Sequence, residues 1–141
     1  MEKAGVHTRD IRFFSQKNRK MICVHSQVAK DYAKYLEDQP HVIGYETSEL
    51  LQMDRFQHIS PLNIRKAYLT EKWTTDFLLH YADGRTGVRE ILDGMDLTKR
   101  ADVEKLELSR RYWAALDISD WKVVITKEGV SQDDSICTAS R

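Results

Sequence analysis

TDFLLHYADGRTGVREILDG, residues 75–94, decides the fold. From Thr74 to Tyr81 the side chains alternate, with Phe77 and Leu79 on one face and Asp76, Leu78 and His80 on the other, as in a β-strand. Asp83-Gly84 is a strong tight-turn signal, and Val88 to Leu92 returns as the partner strand. The hairpin carries Asp76 near the start of its first strand and Glu90 near the end of its second. Two carboxylates on neighbouring strands can hold a divalent cation, which polarises a phosphate and lowers the pKa of bound water. That chemistry takes a lysine two residues after the second acid, to orient the water or stabilise developing charge. Here the position is Leu92.

Outward from the hairpin, helices and strands alternate. In SQVAKDYAKYLEDQP, residues 26–40, Val28, Tyr32, Tyr35 and Leu36 recur at helical spacing, with Ser26 as a good N-cap and Pro40 marking the end. HVIGYETSELL reads as a strand broken at Gly44. Residues 52–70 are ambiguous, with a turn at Ser60-Pro61. A helix is expected over about 101–116, burying Val103, Leu106, Tyr112, Trp113 and Leu116, and WKVVITK is a final strand. RKMICVH is a short edge strand or extended lead-in. This order predicts an α/β fold, a mixed central sheet flanked by helices. Residues 1–19 are expected as an irregular basic arm, 20–128 as the domain, and 129–141 as a disordered tail.

With 141 residues the chain makes one domain. It lacks the long apolar run of a membrane span and the apolar region of a secretory signal, and the spacing of Cys23 and Cys137 fits neither a disulfide framework nor a metal knuckle. A reducing cytoplasm is the expected setting. Lys plus Arg and Asp plus Glu both number 22, and zero net charge argues against a dedicated electrostatic DNA binder. The charge is uneven, however. Arg9, Arg12, Lys17, Arg19 and Lys20 face only Asp10 between residues 8 and 20, which makes Arg12, Arg19 and Lys20 candidate phosphate contacts. Arg110 and Arg111 on the second helix are candidates of the same kind.

Three stretches carry a resemblance. TTDFLLHYADG, DLTKRADVEKLELSRRYW (residues 96–113) and ISDWKVVITKE (residues 118–128) resemble the metal-binding strand, signature helix and final strand of TnsA-like proteins. These are the endonuclease subunits of heteromeric transposases, and their N-terminal catalytic domain has the PD-(D/E)xK, restriction-endonuclease-like fold. The resemblance spans about residues 20–128 and implies cleavage at the 5′ ends of transposon DNA with Mg²⁺ or Mn²⁺ held by Asp76 and Glu90. It also implies DNA and a separate transposase subunit as partners.

Two positions depart from the family. Its catalytic lysine falls on Leu92, and its helix glutamate, a few residues after the cap, falls on Ala29. Asp31 and Glu37 lie about 200° and 80° around the helix from Ala29 and do not replace it. The expectation is a nuclease-fold protein of a DNA transaction that is degenerate as an endonuclease. The alternative is a non-catalytic module that binds protein or DNA on the same scaffold. Lys99 or Lys105 would be the rescue if catalysis survived, although Lys105 reads as an exposed helix residue. His80 shares a strand face with Asp76 but is read as a half-exposed sheet histidine.

Overall fold

A computed structural model describes residues 1–5, 9–93, 99–126 and 137–140. Its elements are β1 (Glu2–Lys3), β2 (Ile11–Ser15), β3 (Lys20–Val24), α1 (Gln27–Glu37), β4 (Val42–Leu50), β5 (Trp73–Tyr81), β6 (Thr86–Asp93), α2 (Arg100–Ala114), β7 (Asp120–Thr126) and β8 (Cys137–Ser140). Two 3₁₀ turns, Met53–His58 and Lys66–Thr70, occupy the ambiguous stretch between β4 and β5.

The α/β expectation holds. β4, β5 and β6 run antiparallel in sequence, and β6 reaches the parallel β7 through α2. Alternation along the strands divides the core in two. Phe77, Leu79 and Val124 pack with Tyr32, Ala33 and Leu36 of α1, whereas Leu78, Val88 and Val123 pack with Leu106, Leu108, Tyr112 and Trp113 of α2. The helices therefore cover opposite faces of one mixed sheet, which buries the apolar side chains of both strand faces.

Helix α1 starts where the sequence says. The Ser26 hydroxyl accepts from the Ala29 N–H at 3.1 Å, satisfying a donor that the first turn leaves without an intrahelical partner. Helix α2 buries Leu106, Tyr112 and Trp113 as expected but leaves Val103 46% exposed, and it also buries Glu104, for which Arg65 and Arg100 supply the opposing charge at 3.0 and 3.2 Å. Gly44 coincides with a register shift between Val42 and Gly44, as the break in the strand pattern suggested.

Both ends of the chain are more ordered than composition implied. Residues 11–15, expected within an irregular arm, form β2 and pair antiparallel with β3. Ile11, Phe13, Ile22 and Val24 turn inward to the α1-side core, and this long-range burial is invisible to a local reading. Glu37 anchors the same hairpin, accepting from the Ser15 hydroxyl at 2.5 Å, the Tyr45 hydroxyl at 2.6 Å and the Lys17 N–H at 3.0 Å. Residues 137–140, expected within a disordered tail, add β8 to the edge of β7. The rest of that tail lies outside the described residues, as do residues 94–98 of the expected loop before α2.

Strand β5 positions the site. Along one edge it pairs with β4 from Thr74 to Tyr81. The other edge is divided: β6 pairs at Phe77–His80, and β1 pairs at Trp73 and Thr74. Between these two partners the ladder forks at Thr75 and Asp76.

Candidate functional site

The fork brings Asp76 and Glu90 together. Asp76 Oδ2 accepts from the Ile91 N–H at 2.7 Å, so a side chain takes the place of a strand partner where β6 leaves β5. In return the Asp76 N–H donates to Glu90 Oε1 at 3.0 Å. The α-ammonium of Met1, brought in by β1, lies 2.6 Å from Asp76 Oδ2 and 3.3 Å from Glu90 Oε1. A cation thus bridges the two acids singled out in the sequence.

Glu90 is fully buried and held on its far oxygen by a four-residue network. Thr75 and Ser109 hydroxyls contact Glu90 Oε2 at 2.8 and 2.5 Å. The indole N–H of Trp113 donates to the Thr75 hydroxyl at 2.7 Å, and that of Trp121 to the Ser109 hydroxyl at 3.0 Å. An indole N–H can only donate, so each hydroxyl accepts from its tryptophan and turns its own proton toward Glu90. Every polar contact made by the carboxylate is then an accepted hydrogen bond or an ion pair.

Charge and burial compete at the fork. Burial works against the charged Met1 amine, but Asp76 and Glu90 outweigh it and move its pKa from 8.0 to about 10. Burial pushes the Glu90 carboxyl up from the ordinary carboxylate range, while the Met1 ammonium draws it down.

Asp76 opens onto a cleft of about 280 Å³ lined also by Met1, His25, Ser26, Ala29, Ser48 and Ile91. Ala29, where the sequence resemblance would put a helix glutamate, therefore faces the same space as Asp76. Its methyl offers no donor or acceptor there. Ser48 has φ 54°, a left-handed conformation unfavourable for a side chain. It sits between the Thr47–Phe77 and Glu49–Thr75 pairs, opposite Asp76. Backbone strain of this kind is often kept at functional clefts.

Other candidates are placed elsewhere. Leu92 packs with the α2-side core rather than entering the cleft. Glu37 is committed to the β2–β3 hairpin, and Asp31 accepts from Gln27 at 2.9 Å on the helix surface. His80 contacts Glu46 at 2.7 Å with 43% of its side chain exposed, matching the half-exposed reading. Lys99 is exposed at the start of α2. Lys105, expected as an exposed helix residue, instead lies 5.8 and 5.6 Å from the ring centroids of Tyr68 and Trp73, covering aromatic surface with its stem and charge.

Among the proposed phosphate contacts, Arg12, Arg19 and Lys20 are exposed on the β2–β3 hairpin. Arg110 and Arg111 both pair with Glu107, at 2.7 and 2.8 Å. Arg111 also donates to the Ser60 and Leu62 carbonyls, tying α2 to the loop before the second 3₁₀ turn.

A second constellation escaped the sequence reading. Asp10, Cys23 and His25 bring a carboxylate oxygen, a thiol sulfur and a ring nitrogen within 4.8 Å of one another. The signal was a Cys-x-His pair on one strand face with an acid across the hairpin. It required the β2–β3 pairing to be known.

No protein-family model matches the chain. No curated protein matches it significantly. Among the described residues, no helix is long and apolar enough to cross a membrane.

Proposed function

We propose that the chain is a TnsA-like, nuclease-fold protein of DNA transposition or a related DNA transaction, degenerate as an endonuclease. The observation that carries this reading is the Met1 ammonium placed between Asp76 and Glu90, beside Ala29 in the same cleft. An ammonium neutralises two carboxylates as a metal ion would, but has no vacant coordination position with which to activate water or polarise a phosphoryl oxygen. The fork thus pairs its two acids with a charge that is not itself a Lewis acid. Ala29 cannot add a ligand, and Leu92, turned into the core, cannot supply the charge of a catalytic lysine.

The order of helix, three antiparallel strands, helix and parallel strand supports the scaffold, and agrees with the resemblance carried by residues 20–128. DNA contact then falls to the β2–β3 hairpin, where Arg12, Arg19 and Lys20 are exposed. Asp76 and Glu90 are also the residues that would hold Mg²⁺ or Mn²⁺ if either displaced the ammonium, and the ion would then supply the Lewis acidity that the ammonium lacks. A transposase subunit is the partner implied by the same reading.

A binding module for another protein is the second reading. It is favoured by Phe14 and Met21, a cross-strand pair with 54% and 59% exposure on the outer face of the hairpin.

Supercoiled plasmid with Mn²⁺ tests the proposal, using the wild type, Asp76→Ala and the double change Ala29→Glu with Leu92→Lys. Silence from the wild type with nicking by the double change supports a degenerate nuclease. Nicking by the wild type that disappears in Asp76→Ala identifies a working endonuclease and overturns the degenerate assignment. Fluorescence anisotropy with duplex DNA then separates the two binding readings: Arg12→Glu with Lys20→Glu weakens binding about uniformly across sequences if the hairpin contacts phosphate.

A further inference from the structure

We propose that Asp10, Cys23 and His25 form a binding site for Zn²⁺ or a similar borderline transition-metal ion at the open end of the β2–β3 hairpin. Asp10 precedes β2, Cys23 lies within β3, and His25 follows it. Ile11 pairs with Val24 and Arg12 with Cys23. Alternation sends Ile11 and Val24 inward to the core, leaving Cys23 and the flanking Asp10 and His25 on the outward face. The three ligands are therefore presented by backbone whose register is fixed on its other side by apolar burial.

Their chemistry selects the ion. One thiolate, one imidazole and one carboxylate are a set suited to Zn²⁺, whereas Mg²⁺ and Ca²⁺ take oxygen ligands. In a tetrahedral Zn²⁺ site with bonds of about 2.0–2.3 Å, ligand atoms stand about 3.4–3.6 Å apart. The His25 Nδ1 to Asp10 Oδ1 distance is 3.0 Å, and all three ligand atoms lie within 4.8 Å. The closest pair has to open by a few tenths of an ångström and the widest to close by at most about 1.2 Å, within the reach of side-chain rotation.

Three protein ligands leave a fourth position for water or another donor. The ion would clip together the two chain segments where the hairpin opens. His25 also lines the cleft that contains Asp76, so the clip would fix one of its walls. The site is separate in its residues from the Asp76–Glu90 fork and depends on neither its charge nor its activity.

Co²⁺ titration of the purified reduced protein, followed by electronic absorption, tests this assignment. The expected result is one equivalent of Co²⁺ bound per chain, with a near-ultraviolet thiolate-to-cobalt charge-transfer band that Zn²⁺ displaces. Cys23→Ser abolishes the band, His25→Ala weakens binding at least tenfold, and Asp76→Asn and Cys137→Ser leave both unchanged. Circular dichroism confirms that each variant is folded. Absence of the band at millimolar Co²⁺ overturns the proposal, as does a band that survives in folded Cys23→Ser.

Discussion

Raising the pH from 7.5 to 10.5 should strip the proton from the Met1 amine and cost the fold its ion pair at the strand fork. The amine has a pKa of about 10 in the folded chain and 8.0 as its ordinary value. Because the folded-state value is the higher one, the stabilisation is fully present below pH 8 and is lost as the pH rises through 10. Two pKa units correspond to about 2.7 kcal/mol, of which about 2.4 kcal/mol is lost over this interval. For a chain of this size that loss lowers the thermal midpoint by roughly 7–10 °C. Thermal melts followed by circular dichroism should be run in parallel on wild type and Asp76→Asn, which removes the nearer carboxylate charge at 2.6 Å. Other titrating groups contribute similarly to both proteins, so the difference between their midpoints isolates the fork. That difference should be largest near pH 7.5 and shrink toward pH 10.5. Parallel curves for the two proteins over the whole interval would refute the argument.

Further outcomes follow from the same contacts. Ser109→Ala removes one of two hydroxyl donors to buried Glu90 and should destabilise by about 1–3 kcal/mol, seen as a lower urea midpoint at unchanged slope. Ser48→Gly relieves the left-handed conformation opposite Asp76 and should raise stability by about 0.5–1 kcal/mol after the entropy of the added glycine, measured in the same denaturation. Ser26→Ala should cost about 1 kcal/mol through the lost α1 cap; an unchanged urea midpoint would show the cap to be dispensable. Arg65, chiefly through its hydrogen bonds, holds Glu104 down to about 2. The stability that Glu104 contributes is therefore present above its ordinary value near 4.5 and is lost as the pH falls through 2. In an acid titration followed by tryptophan fluorescence, Arg65→Ala should move the unfolding midpoint to higher pH.

The hairpin around Asp83-Gly84, helix α1 with its Ser26 cap, and helix α2 were legible because their signals are local. Alternation, turn chemistry and helical spacing all lie within a few residues of one another. The same alternation placed Phe77 and Leu79 opposite Leu78, and the structure uses this division to separate its two core layers. Strands β1, β2 and β8 were missed because each is short and needs tertiary partners: Glu2 lies opposite Thr74, β8 adds to the edge of β7, and β2, although it pairs with the adjacent β3, is held by packing Ile11 and Phe13 on the α1-side core. Nothing in the local pattern of α2 marks Glu104 as buried; its burial is matched by Arg65, which arrives from 39 residues away.

For the candidate sites, sequence by itself determined which acids share the hairpin and that neither Ala29 nor Leu92 can perform the chemistry expected at its position. An amino acid's functional groups do not change with the fold. Tertiary structure alone decided that Asp76 reaches a cleft while Glu90 is sealed behind it, that the cation between them is a backbone amine, and that Cys23 and His25 meet Asp10. Those outcomes depend on where strands fork and pair, and such geometry is fixed by burial and hydrogen bonding between segments that are distant in the chain.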